Sequence, residues 1–193
     1  PVARAWGWRG EGLDPGIRNI TLGAMWIRRA EESDASSLAV IAIEVWAGTY
    51  LKDGVSAFFA DFVLSQMTVP AFEMALEDPR ERFLVSQNAG GIDGFARISL
   101  GRKAPVSGAS DCEIATLYVQ PRHHGKGIGK ALLTAALEIC GREGAVAPWL
   151  MVNSENQRAL RFYAAQGFAP LGQTVFRIAD QAYPNEVLCI NLR

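Results

Sequence analysis

Residues 113–130 combine a strand-like run, a glycine-rich basic loop and a helix-forming run in direct succession. The first run is rich in β-branched and aromatic residues, and good helix formers follow from Lys130. A strand that enters a helix through such a loop aims several main-chain N–H groups at one point, beside the positive end of the helix dipole. We therefore expect an anion-binding loop, to which Arg122 and Lys126 add positive charge.

The bulk composition is that of an ordinary globular chain. The 193 residues suit one compact domain with a full hydrophobic core. A formal net charge of -1 argues against general nucleic-acid binding, which needs a basic excess. No apolar stretch approaches the ~18 residues of a membrane span, so we expect a cytoplasmic protein with no nucleic-acid or membrane partner.

The cysteines and histidines indicate no metal. Cys112, Cys140 and Cys189 lack the C-x-x-C spacing, and an odd, scattered set is typical of a reduced cytosolic protein. Each is expected to serve packing. With only two histidines, adjacent in sequence, a zinc site is not expected.

Hydrophobic periodicity and turn signals divide the chain into an extension and a domain. Residues 1–25 lack periodicity and also the apolar run of a signal peptide, so we expect an N-terminal extension there and a single domain over 26–193. The order β-α-α-β-β-β-α-β-α-β-β, with a short additional helix near 71–76, predicts an α/β domain with a mixed sheet. Its main signals are strands at 26–29, 82–87, 92–100, 112–119, 149–152, 168–178 and 187–192, and helices ending near 46, 67, 142 and 166.

The glycine loop fits neither of the two commoner phosphate motifs. A P-loop requires Gly where His124 stands and a hydroxyl where Ala131 stands. A dinucleotide fingerprint would require a third glycine at Lys130. Two interpretations remain: a short Gly-x-Gly-x-Gly turn that binds a pyrophosphate without a metal, or a plain turn with solvated lysines.

Two segments resemble a known family. Residues 119–133 are similar to the acetyl-CoA-binding motif of the GNAT superfamily of N-acetyltransferases, and residues 153–168 resemble its second motif, about 30 residues further on. The resemblance covers roughly 27–192. One departure is His124, where the family usually has Gln or Arg. Residues 43–50 and Val175-Phe176 are, in addition, similar to the bacterial polyamine acetyltransferases of the PaiA type.

The resemblance implies a fold and a cofactor site. The expected fold is a mixed, mostly antiparallel sheet of about seven strands, flanked by about four helices, with a splayed central strand pair. The main chain near Leu117 or Tyr118 would face the thioester oxygen, and Asn156 would bond the pantetheine amides or simply cap a helix. The implied acetyl-CoA-binding residues are Leu117, Tyr118, Val119, His124, Gly125, Lys126, Gly127, Ile128, Gly129, Lys130, Asn156 and Ala159.

Two residues are candidates for the chemistry. Strict strand alternation would place Glu113 on one face with Ala115, Leu117 and Val119, where an apolar setting raises a carboxyl pKa and suits a general base. The alternative is a charge at the exposed start of a strand. The resemblance makes Tyr163 the acid that protonates the thiolate, whereas periodicity alone allows an aromatic core stripe.

The acceptor is less constrained. Trp46 and Tyr50, with Phe58 and Phe59, are candidates to line an acceptor slot, and the carboxylates of Glu44, Asp53 and Asp61 to attract a cation; core or solvated positions are the alternative. We expect direct acetyl transfer from acetyl-CoA to a primary amine such as a polyamine. Protein N-terminal or other small-amine acetylation, and a non-catalytic acyl-CoA-binding module, stay open. The resemblance is also consistent with a homodimer.

Overall fold

The computed structural model describes residues 21–22, 25–51, 54–178 and 181–192. Most of the expected N-terminal extension, and Asp53, lie outside these residues. The strands are β1 (Thr21–Leu22), β2 (Met25–Arg29), β3 (Glu81–Asn88), β4 (Gly91–Leu100), β5 (Cys112–Val119), β6 (Trp149–Asn153), β7 (Ala169–Ile178) and β8 (Gln181–Cys189). The α-helices are α1 (Ala35–Tyr50), α2 (Ala57–Gln66), α3 (Val69–Glu77), α4 (Ile128–Arg142) and α5 (Gln157–Ala165).

The strands form one sheet in the order β1-β2-β3-β4-β5-β6-β8-β7. Every neighbouring pair is antiparallel except β5 and β6. The predicted mixed, mostly antiparallel α/β fold is confirmed. The eighth strand is the two-residue β1, which is too short to leave a periodic signal in the sequence.

Helices cover both faces of the sheet because their apolar stripes need a partner. Helix α4 packs on β4 and β5, and its buried side chains join the largest core cluster. Helices α1 and α3 pack against the opposite face, around Phe83 and Phe95. A third, aromatic cluster joins α1 and α2 to β7 and β8. None of the helices in the described residues is long and apolar enough to cross a membrane.

The central strands β5 and β6 pair only near their N-terminal ends and then diverge. Their pairing consists of one register pair, Glu113 with Trp149, although β5 continues for six more residues. Neighbouring strands normally pair along their shared length. The predicted splayed strand pair is therefore present, and beyond Glu113 the edge of β5 that faces β6 is open.

Candidate active site

The glycine loop is shaped for main-chain donors. Gly125 and Gly127 have φ angles of 79° and 82°, a backbone conformation that favours glycine. Gly127 is also the N-cap of α4. The glycines therefore turn the chain sharply between the end of β5 and the first turn of α4.

The N–H groups of residues 125–130 are free. Among the described residues, none of these six groups donates a hydrogen bond, and Ala131 is the first whose N–H reaches back, to the Gly127 carbonyl at 3.0 Å. They sit at the N-terminus of a 15-residue helix, where the dipole adds partial positive charge. The exposed Lys126 and Lys130 flank them, while Ile128 is buried and offers only its main chain. This set of donors fits a pyrophosphate.

His124 is turned away from this loop. Its Nε2 atom donates to the Val119 carbonyl at 2.8 Å, its main-chain N–H donates to the Pro121 carbonyl, and its Nδ1 atom is buried without a partner. The side chain of the neighbouring His123 instead lies 3.3 Å from the Lys126 ammonium. A phosphate contact from His124 would require its ring to leave Val119, so this role stays a prediction.

A β-bulge changes the face on which Glu113 lies. Along β4, Arg97 pairs with Thr116 and Ile98 pairs with Ile114, so Ala115 is the extra residue. Ile114 belongs to the core under α4, as Leu117 and Val119 do, while Tyr118 packs on the other face. Glu113 is thereby on the Tyr118 face, and its predicted alignment with Leu117 and Val119 is wrong because the bulge breaks strict alternation.

Glu113 is nevertheless buried, at 6% exposure. Burial raises the pKa of its carboxyl group, while the nearby Arg102 and Arg97 guanidinium groups oppose the shift. The Arg102 Nε atom lies 3.6 Å from Glu113 Oε2. A carboxyl with a raised pKa beside an open strand edge is suited to accept a proton near neutral pH.

Tyr163 is buried on α5, at 8% exposure, and packs edge-on against Phe162 and Phe168. Among the described residues its hydroxyl has no hydrogen-bond partner. Burial, with a smaller contribution from Tyr118, raises the pKa of this phenol well above its usual value. It therefore stays protonated and keeps a proton to donate.

Three phenols lie near one another around the opening between the strands. Burial raises the pKa of Tyr118 to about 12, and the adjacent Tyr50 adds to this shift. Burial likewise raises the pKa of Tyr50, and a hydrogen bond with the Asn153 side chain at the end of β6 opposes this shift. Tyr50, Tyr118 and Tyr163 thus connect α1, β5 and α5 at the site where β5 and β6 separate.

The expected acceptor residues are only partly accessible. Trp46 is 4% exposed and packs at a tilt against Tyr50, with 4.5 Å between ring centroids, so it is a core residue rather than an accessible one. Tyr50 is half-buried and also faces Tyr183 of β8 at 6.1 Å. Phe58 and Phe59 extend the same aromatic wall along α2.

Glu44 is not free to attract a cation. Its carboxylate accepts hydrogen bonds from Gln120 at 2.7 Å and from Arg122 at 2.9 Å. Asp61 is an exposed residue of α2. The negative charge expected from Glu44 is therefore already neutralised.

Asn156, one of the predicted cofactor-binding residues, lies at the start of α5. Asn156 caps α5, with its Oδ1 atom accepting from the Ala159 N–H at 3.1 Å, which leaves its side-chain amide N–H groups available. Sequence reasoning missed Arg102 and Tyr183. Neither lies in a motif, since one is in a loop and the other in a late strand, and only the fold brings them near Glu113 and Tyr50.

Comparison with known proteins assigns the chain to a family. The model of the acetyltransferase (GNAT) family matches residues 49–168, which is more than half of the chain. The protein belongs to the GNAT acetyltransferase family. It is an acetyl-CoA-dependent acyltransferase, and the matched residues include Glu113, the glycine loop and Tyr163.

Relatives and solved structures agree with this assignment. An uncharacterized N-acetyltransferase of Mycobacterium tuberculosis is 34% identical over 146 residues, 76% of this chain and 90% of its own length. The N-alpha-acetyltransferase RimI of the same species is 35% identical over 103 residues, 53% of this chain and 61% of RimI. The PaiA N-acetyltransferase of Thermoplasma acidophilum, solved with coenzyme A, has a TM-score of 0.68 at 20% identity, covering 88% of this chain and all of PaiA.

Proposed function

We propose that this GNAT protein acetylates a primary amine by direct attack on acetyl-CoA in a ternary complex. The main support is the open edge of β5. The free N–H groups of residues 125–130 lie beyond the C-terminal end of this strand, and the buried Glu113 lies near its N-terminal end. A pyrophosphate held by the loop would direct a pantetheine arm into this opening. The amine would then approach from the face that carries Glu113 and Tyr118.

The side chains divide the proton transfers between them. Glu113 would take a proton from the attacking ammonium, through a water molecule, because burial raises its pKa toward neutrality. A main-chain N–H of β5 near Leu117 would stabilise the oxyanion. Tyr163 would give its proton to the departing thiolate as the C–S bond breaks, because burial keeps this phenol protonated until then.

For the acceptor, two classes have separate support. Similarity to RimI, whose name describes an N-alpha-acetyltransferase, favours the α-amine of a peptide. The PaiA-like sequence features favour a polyamine. The neutralised Glu44 and the aromatic wall around Tyr50 favour the acceptor with a single positive charge. We therefore place the peptide α-amine or a similar monoamine first and the polyamine second.

A thiol-release assay tests the proposal. Purified protein is given acetyl-CoA with, separately, short peptides, spermidine, spermine, an aminoglycoside or single amino acids, and free CoA is measured. Turnover with a peptide but not with spermidine supports the first acceptor class, and the reverse supports the second. If acetyl-CoA binds in calorimetry but no acceptor yields turnover, the non-catalytic acyl-CoA-binding module replaces the enzyme.

A further inference from the structure

Two of the three cysteines meet in the core. The Sγ atoms of Cys112, at the start of β5, and Cys140, near the end of α4, are 3.3 Å apart although the residues are 28 positions apart in sequence. Both thiols are free, with exposures of 3% and 0%. A disulfide would need the sulfurs to approach by about 1.3 Å. We propose that Cys112 and Cys140 are an oxidation site that closes to an intramolecular disulfide when the folded protein meets a hydroperoxide.

The contact between the two thiols makes them unequal. The hydrogen-bonding contact between the two sulfurs lowers the pKa of the Cys112 thiol, and the same contact, with burial, raises the pKa of the Cys140 thiol. Of the two thiols, Cys112 is therefore the one that ionises more readily. Since the thiolate is the nucleophile, Cys112 is the sulfur that attacks the oxidant.

A cleft gives a small oxidant access to Cys112. It measures about 270 Å³ and lies between the end of β4, the start of β5 and the end of α4. Cys112 is part of its wall, together with exposed Asp111 and Gly144, whereas Cys140 is not. A peroxide little larger than water fits this space many times over, and of the two cysteines only Cys112 lines it.

The reaction then balances in two steps. The Cys112 thiolate attacks one peroxide oxygen, the O–O bond breaks, and the other oxygen leaves as hydroxide, which becomes water by taking up the proton that the Cys112 thiol released; Cys112 becomes a sulfenic acid. The Cys140 sulfur attacks the Cys112 sulfur, the S–O bond breaks, and the hydroxyl leaves as water with the Cys140 proton. Two thiols and one hydrogen peroxide give one disulfide and two water molecules.

The third cysteine provides an internal control. Cys189 is on β8, and β6 separates that strand from β5. It is half-buried rather than buried.

The proposed Cys112–Cys140 disulfide would join the start of β5 to the end of α4. Closing a loop of this size predicts a melting temperature about 5 °C higher or more for the oxidised protein.

Peptide mapping tests the proposal without reference to acetyl transfer. The folded protein is treated with hydrogen peroxide, the excess is removed with catalase, and the remaining thiols are alkylated in denaturant before digestion. We expect a Cys112–Cys140 cross-linked peptide, one alkylated cysteine, Cys189, and reversal by dithiothreitol. Cys189→Ser should give the same cross-link, whereas Cys140→Ser should leave a sulfenic acid on Cys112 that dimedone traps.

Several results would overturn the site. These are oxidation of Cys189 alone, cross-links between molecules, over-oxidation of Cys112 in the wild type, or no reaction. The wild-type map decides by itself, so the conclusion does not depend on how either variant folds. Circular dichroism of the treated protein checks that the cross-link formed in the folded state.

Discussion

The guanidinium of Arg102 lies 3.6 Å from the carboxylate of Glu113, and the two side chains differ sharply in exposure, 69% against 8%. Burial alone would favour the protonated carboxyl, and the solvated arginine limits that effect. The pair therefore sets the pH above which Glu113 is ionised and able to act as a base. Because Arg102 is exposed, the pair contributes little to folding stability.

Arg102→Gln should move the acidic limb of the rate profile. Removing the positive charge raises the pKa of Glu113 further, so the ionised base appears only at higher pH. We expect several-fold lower kcat/KM below neutral pH and little change on the alkaline plateau. The measurement is kcat/KM against pH, with Lys103→Gln, an exposed cation one residue away, as the matched control. An unshifted limb would show that Glu113 does not set it.

Glu113→Gln should separate activity from stability. Removing the proposed base should lower turnover by about 10²–10⁴-fold. The folded-state pKa of Glu113 is raised, so its stabilising contribution is present at low pH and is lost as pH rises through that pKa. At neutral pH the buried charge opposes folding, and a neutral amide should melt at the same temperature or higher. Melting curves across pH check this, and a large loss of stability at neutral pH would contradict it.

Tyr163→Phe should weaken chemistry without weakening cofactor binding. The substitution keeps the ring that packs on Phe162 and Phe168 and removes only the proton donor. We expect turnover about 10²-fold lower with an unchanged dissociation constant for CoA. Because burial holds the phenol pKa above its usual value, the wild-type rate should not fall with alkaline pH through ionisation of this group. Unchanged turnover in Tyr163→Phe would place the acid elsewhere.

Structural features that depend on residues close together in the chain were predictable from the sequence. The hairpin of β3 and β4, the glycine loop and the start of α5 each follow from turn, cap and periodicity signals within a few residues. The resemblance to the GNAT motifs also predicted the splayed strand pair, because two short motifs in the right order are specific to one fold. The confirmed parts are thus local signals combined with a family pattern.

The missed features depend on contacts between distant segments. The bulge at Ala115 changes the face of Glu113, yet no Gly or Pro marks it in sequence. Glu44 is neutralised by Arg122, 78 residues away. Alternation rules assume an unbroken ladder, and charge patterns assume free charges. Both assumptions fail here, because the bulge and the ion pair form only when distant segments of the chain meet in the fold.

Two glycines of the loop should respond differently to alanine, and the reason lies in their backbone. At Gly127 φ is +82°, so a side chain is strained there even though no atom lies within 4 Å of the added Cβ. Gly129 has no positive φ, and its added Cβ would touch Phe162 at an ordinary 3.6 Å.

Gly127→Ala should cost about 1–2 kcal/mol and lower the melting temperature by about 2–8 °C. Gly129→Ala should leave the melting temperature unchanged or raise it slightly, because alanine is a better helix former than glycine. The strained variant should also raise KM for acetyl-CoA, since any relaxation of φ turns the N–H groups of the loop away from a pyrophosphate. Calorimetry and steady-state kinetics on the two variants check both effects, and equal melting temperatures would mean that the loop adopts a different backbone.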